Sequence, residues 1–447
     1  MLHVTYWIKD YKHMKRTLYS ELANWKKSPN RKSLIIKGAR QTGKTWLMKE
    51  FGRTAYPDTA YVNFERNPNL AAIFQGSLDI EGIIQALQVQ TGVRIIPERT
   101  LIIFDEIQEA PQAIAALKYF CEEAPGYHIV AAGSLLGIAL HRSLSFPVGK
   151  VEFLNMHPLS FHEFLMAMEE NELLELLVSG RWNLLHVFRK RLTDRLRQYY
   201  LVGGMPESVA EFAASGEVHE VRRIQKNILD AYELDFSKHA PANEIPRIRM
   251  VWNSIPGQLA REKRKFIYSH IKEGSRAKDF EKALAWLVDC GQVLKVNRVT
   301  KPGFPLKAYE DFSAFKLFLV DTGLLSAMTD VSPRVILDGN DIFTEFKGAL
   351  TEQFACQQIL ALSRLPVGYW SSDRGTSVVD FLLQSETSVI PVEVKAEQNL
   401  KAKSLKTYYD KFSPPYAIRT SLSDFRQDGW LRNIPLYAFF AWLQKEV

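Results

Sequence analysis

The stretch Gly38-Ala39-Arg40-Gln41-Thr42-Gly43-Lys44-Thr45, entered from the apolar run Leu34-Ile35-Ile36, has the residue types and spacing of a phosphate-binding loop. Its two glycines let backbone N–H groups turn inward on phosphate oxygens. Lys44 can then reach the β and γ oxygens, and Thr45 offers a hydroxyl to magnesium. Trp46 opens the segment Trp46-Leu47-Met48-Lys49-Glu50-Phe51, read as a helix whose N-terminal dipole and free N–H groups favour a bound anion. A second element carries the complementary chemistry. Leu101-Ile102-Ile103-Phe104 is an apolar strand that ends in Asp105 and Glu106. Asp105 suits a magnesium ligand acting through water, and Glu106 suits the group that polarises an attacking water. ATP and magnesium are therefore the expected cofactors, with Lys44 and Glu106 as catalytic residues and Thr45 and Asp105 at the metal.

These groups need a sheet to hold them. Apolar runs at Leu34 to Ile36, Ala60 to Phe64, Leu101 to Phe104 and Ile129 to Ala132 alternate with helical segments at Thr45 to Phe51, Ile80 to Leu87 and Gln112 to Glu122. That alternation predicts an α/β fold, a P-loop NTPase parallel sheet with crossover helices. Met14, Leu18, Leu22 and Trp25 lie on one helical stripe and predict an N-terminal helix over 12–27. The fourth strand ends at Gly133-Ser134. If that strand lies between those bearing the loop and the acids, Ser134 can sense the γ-phosphate as a third catalytic residue; a helix N-cap is the alternative role.

Beyond the nucleotide domain, expected over 1–155, the periodicity turns helical and predicts a helical lid over 156–240. Residues 241–330 read as helices followed by a hairpin that turns at Lys301-Pro302-Gly303, the pattern of a winged helix-turn-helix. If that domain binds DNA, Arg276, Lys278 and Lys301 are expected phosphate contacts; a winged helix used for protein packing is the competing reading. The last domain, 331–447, holds a second constellation. Val378-Val379-Asp380-Phe381-Leu382-Leu383 and Val389-Ile390-Pro391-Val392-Glu393-Val394-Lys395 predict a β-hairpin in which Glu393 and Lys395 share a face, with Asp380 across the pair. Glu393 paired with Lys395 on a solvated face is the plainer reading of that dyad.

Composition sets limits. The chain has 447 residues and 46% hydrophobic content, enough to fill the cores of several domains and to exclude a disordered protein. A net charge of +7 leans toward a polyanion partner; over this length the excess is modest, and a solvated surface is the alternative reading. Cys121, Cys290 and Cys356 are widely spaced and fit neither a metal site nor a disulfide framework, which favours a reducing compartment. The N-terminus lacks a signal-peptide pattern and no run is long enough to span a bilayer, so a cytoplasmic chain without a membrane partner is expected.

Taken with Asp105-Glu106, Gly133-Ser134 and His157-Pro158-Leu159-Ser160-Phe161-His162-Glu163-Phe164, the phosphate loop resembles that of the AAA-type ATPases of bacteria and archaea. The segments Ile255 to Ala260, Phe315 to Leu325 and Gly348 to Glu352 resemble the C-terminal domain of unknown function that accompanies them. The resemblance implies ATP hydrolysis and a nuclease-like C-terminal α/β fold. Gly204-Met205-Pro206 resembles the glycine-x-proline element of signal-transducing ATPases, which implies a nucleotide contact for Pro206. Glu352 on a helix, Asp380, Glu393 and Lys395 together resemble the PD-(D/E)XK nucleases. That resemblance implies magnesium on three carboxylates, with Lys395 easing hydroxide formation. Where many relatives carry Gly-Arg, this chain has Gly149-Lys150, which leaves an arginine finger unassigned.

Overall fold

Apolar runs of five or six residues close into a parallel sheet in the first of two compact units, formed by Lys15–His157 with Asp289–Gly291. The computed structural model describes residues 14–75, 79–133, 147–261, 265–338, 344–372, 375–397 and 402–446; Ser134 lies outside them. The strands β1 (Ser33–Lys37), β2 (Asp58–Asn63), β3 (Thr100–Asp105), β4 (His128–Ala132) and β5 (Val151–Asn155) run in the order β2-β3-β4-β1-β5. Every pairing is parallel. β4 lies between the strand that feeds the phosphate loop and the strand that ends in the acids, as the sensor reading required.

Helices α1 (Leu18–Lys27), α2 (Lys44–Ala55), α3 (Ile80–Thr91) and α4 (Pro111–Glu123) complete this unit. Because strand side chains alternate, neighbouring residues feed different cores. Leu34 and Ile36 join Ile103, Val130 and the α1 and α2 residues Leu22 and Phe51. Ile35 joins Ile102, Ile129 and the α3 and α4 residues Leu87 and Phe120. β5 was not expected from the sequence. It is an edge strand with Val151 buried and the rest half-covered or exposed, so it lacks the unbroken apolar run that marks β3 and β4.

The second unit comprises 158–288 and 292–447, apart from the amino-terminal residues. Its helices are α5 (Phe161–Ala167), α6 (Asn171–Ser179), α7 (Arg189–Val202), α8 (Pro206–Ser215), α9 (Val218–His239), α10 (Ile245–Leu259), α11 (Ala277–Asp289), α12 (Thr322–Met328), α13 (Pro333–Asp338), α14 (Thr344–Leu362), α15 (Lys403–Phe412) and α16 (Phe439–Glu446). Its strands are β6 (Val293–Val299), β7 (Glu310–Leu319), β8 (Val367–Ser371), β9 (Val378–Gln384), β10 (Val389–Val394), β11 (Ala417–Ser421), β12 (Arg426–Asp428) and β13 (Leu431–Pro435). They form one sheet in the order β12-β13-β11-β10-β9-β8-β6-β7.

Two expected boundaries fall within continuous packing. The hairpin β6–β7 forms, but β6 also pairs in parallel with β8 through Arg298↔Tyr369 and Val299↔Trp370. The unpaired edge of a wing strand is a template for another strand, and β8 takes it, so the sheet continues across the expected boundary at 330. The helices of 156–240 likewise share a core with α14 rather than standing apart as a lid. Tyr199 on α7 packs edge-on against Phe161 and Phe354, with ring centroids 5.5 and 5.7 Å away, and all three are fully buried. Gln357 on α14 donates to the Tyr199 hydroxyl at 3.0 Å.

Candidate functional site

The phosphate loop owes its shape to two glycines. A Cβ on Gly38 would stand 2.1 Å from the Met156 carbonyl oxygen, and Gly43 holds φ 93° at the N-cap of α2. Gln41 also has a positive φ, 63°, and is exposed, whereas Thr42 is buried and its hydroxyl donates to the Ala39 carbonyl at 2.9 Å. Arg40 and Trp46 flank the loop half-buried. Lys44 folds back over the loop, and its Nζ donates to the carbonyls of Gly38 at 2.8 Å and Ala39 at 2.7 Å. Burial pulls the Lys44 ammonium down to about 8, with Glu106 and then Asp105 opposing that fall.

Thr45 and Asp105 meet, the hydroxyl donating to Asp105 Oδ2 at 2.9 Å. Tyr61 donates to the same oxygen at 2.8 Å, and the Asn63 amide reaches it at 3.4 Å. Both come from β2, whose residue Asn63 stands in register with Asp105, and neither was singled out from the sequence. Burial, followed by the charge of Asp105, pushes the Tyr61 phenol up, which keeps it a neutral donor. Glu106 leaves the strand in a left-handed conformation, φ 52° and ψ 47°, and its Oε2 accepts from the Gln108 amide at 2.7 Å. A hydroxyl and a carboxylate this close are hard oxygen donors of the kind magnesium takes.

Two more side chains brace this unit. The Arg16 guanidinium, 8% exposed, donates to the Thr42 carbonyl at 2.9 Å and to the His157 carbonyl at 2.6 Å. Lys150, standing where an arginine was looked for, pairs with Glu122 at 2.9 Å on the surface. Pro206 belongs to the second unit as the first residue of α8 and is buried there. The turn before it is used inside that unit: Gly204 N–H donates to Asp321 Oδ2 at 2.6 Å, and its carbonyl accepts from Leu159 N–H at 2.6 Å.

In the second unit, β9 and β10 pair as the expected antiparallel hairpin, with Val392 opposite Phe381. Lys395 reaches Glu393 Oε1 at 2.9 Å, and Asp380 Oδ2 accepts from the Val394 N–H at 2.9 Å. Glu393 is almost wholly buried and its Oε2 has no hydrogen-bond partner. Burial pushes the Glu393 carboxyl up, against the pull of Lys395. The three expected carboxylates do not gather into one set here. Among the described residues no group of three His, Cys, Asp or Glu comes together as metal ligands. Lys316 of β7 occupies the middle, 2.7 Å from Glu352 Oε1 and 3.5 Å from Asp380 Oδ1. A lone lysine in the apolar run of β7 reads as an interruption rather than as a partner of α14.

Residues 30–165 match the model of an AAA domain. Residues 193–335 and 347–439 match two domains of unknown function, DUF8612 and DUF4143. No curated protein matches the chain. Among solved structures, the chain is similar to the Walker-type ATPase PABY2304 of Pyrococcus abyssi, with 13% identity over 71% of this chain and 96% of that one and a TM-score of 0.44. The Aeropyrum pernix ORC1 protein in complex with DNA matches at 13% identity over 70% and 90% of the two chains, with a TM-score of 0.28. No helix among the described residues is long and apolar enough to cross a membrane. The loop, the acid-tipped strand two places away in the sheet and the match over 30–165 together identify an AAA-type P-loop domain in the amino-terminal part of this chain.

Proposed function

We propose that this chain is a cytoplasmic, magnesium-dependent ATPase whose nucleotide state controls its C-terminal part on DNA. The observation that carries the reading is the Thr45–Asp105 contact beside a loop whose lysine already lies across it. Lys44 exchanges the carbonyls of Gly38 and Ala39 for phosphate oxygens, while the N–H groups of the loop and the start of α2 receive the rest of the triphosphate. Thr45 and, through water, Asp105 would hold magnesium, which would supply charge neutralisation at the phosphates when bound. Tyr61 and Asn63 orient Asp105, and Glu106 takes the proton of the attacking water. Ser134, two residues beyond the end of β4 in the sequence, remains a proposed sensor. Pro206 keeps only a structural role in this reading.

Support for the C-terminal half is of a different kind. The chain order α14-β8-β9-β10-α15-β11, with an antiparallel meander and β11 parallel to β10, suits a nuclease-like fold. Arg276, Lys278 and Lys301 are exposed, as phosphate contacts must be. The decisive measurement is calorimetry with ATP and magnesium on wild type and Lys44→Ala. Binding and turnover in wild type, both lost in the variant, support the proposal; normal turnover in the variant overturns it.

A further inference from the structure

We propose that Lys316 supplies the cation of the C-terminal carboxylate cluster from within the chain, so that this cluster takes no divalent metal ion and does not support metal-assisted cleavage. Lys316 is 1% exposed, as is the Glu352 side chain it pairs with. An isolated buried carboxylate is costly, and β7 brings a fixed ammonium to it at hydrogen-bond distance. Asp380 lies on the other side of the same nitrogen, and the rings of Tyr369 and Phe381 face it with centroids at 5.0 and 5.9 Å. Two carboxylates and two aromatic faces enclose one positive charge.

Charge balance points the same way. The acids Glu352, Asp380 and Glu393 are matched by Lys316, Lys395 and Arg419, the last standing in register with Glu393 on the adjacent strand. A divalent ion entering such a set must displace an ammonium, because metal and Nζ compete for the same carboxylate lone pairs. A cluster that is already neutral offers little attraction in return. This inference is independent of the ATP reading, since its test uses neither nucleotide nor DNA.

The test counts bound Mn2+ per full-length chain by electron paramagnetic resonance, in a Thr45→Ala, Asp105→Asn background that silences the nucleotide site. The expected result is no ion whose binding depends on Asp380. Adding Lys316→Met should create a site for one Mn2+, which further substitution of Asp380→Asn removes. A folded Lys316→Met protein that gains no ion overturns the proposal. Should that variant fail to fold, the background protein decides alone: an ion lost on Asp380→Asn overturns the proposal, and the same count with and without that substitution supports it.

Discussion

The Thr45 hydroxyl donates to Asp105 Oδ2 at 2.9 Å, which joins the start of helix α2 to the end of strand β3 at the point where a metal ion would sit. Substituting Thr45→Ala removes one metal ligand and leaves the phosphate cradle intact. ATP affinity measured by calorimetry should fall about tenfold with magnesium present, near 1.4 kcal/mol, and change little with EDTA. Equal losses in both conditions would show that the hydroxyl serves the loop and not the metal.

Glu106 is the proposed proton acceptor, and the amide substitution Glu106→Gln keeps its size while removing its basicity. Steady-state phosphate release should drop by roughly 10²-fold or more, the usual contribution of a general base. Nucleotide binding should persist. Retained turnover would move the role to another group.

Lys44 is held near 8 in the free protein by burial, yet it must be an ammonium against the triphosphate. ATP binding should therefore take up close to one proton at pH 9 and little at pH 7. Affinity should weaken as pH rises above about 8, approaching tenfold per unit. Calorimetry in buffers of different ionisation enthalpy reads the proton count directly, and a count of zero at pH 9 contradicts the assignment.

His128 tests the fold rather than the chemistry. It is 4% exposed, its Nδ1 meets the Tyr56 hydroxyl at 2.7 Å, and burial, then Arg31 and Lys26, pull it down to about 4. The unfolded chain binds a proton near 6.5 that the folded chain refuses until about 4, so stability is lost as pH falls through that window. The loss should reach roughly 3 kcal/mol, and His128→Phe should flatten it in denaturant titrations at pH 4.5 and 7.5.

The phosphate loop and its acids were legible because each is contiguous: one run of residues carries both the geometry and the chemistry. The four apolar strands were legible for the same reason. β5 was not, since an edge strand needs no apolar run. Tyr61 and Asn63 escaped notice because their importance comes from register with Asp105, a relation that crosses strands. In the C-terminal cluster, Glu352, Asp380, Glu393 and Lys395 were all found, but Lys316 was not. Its partner on α14 is 36 residues away, and no spacing rule joins a strand lysine to it. The packing of the 156–240 helices on α14 and the pairing of β6 with β8 were illegible for the same reason. Local periodicity marks helices and hairpins correctly but does not say which core receives them.

The Arg16 guanidinium grips both the floor of the phosphate loop and the carbonyl of His157, after which the chain crosses into the other unit at Pro158. One side chain therefore ties the floor of the phosphate loop to the last residue of its own unit before that crossing.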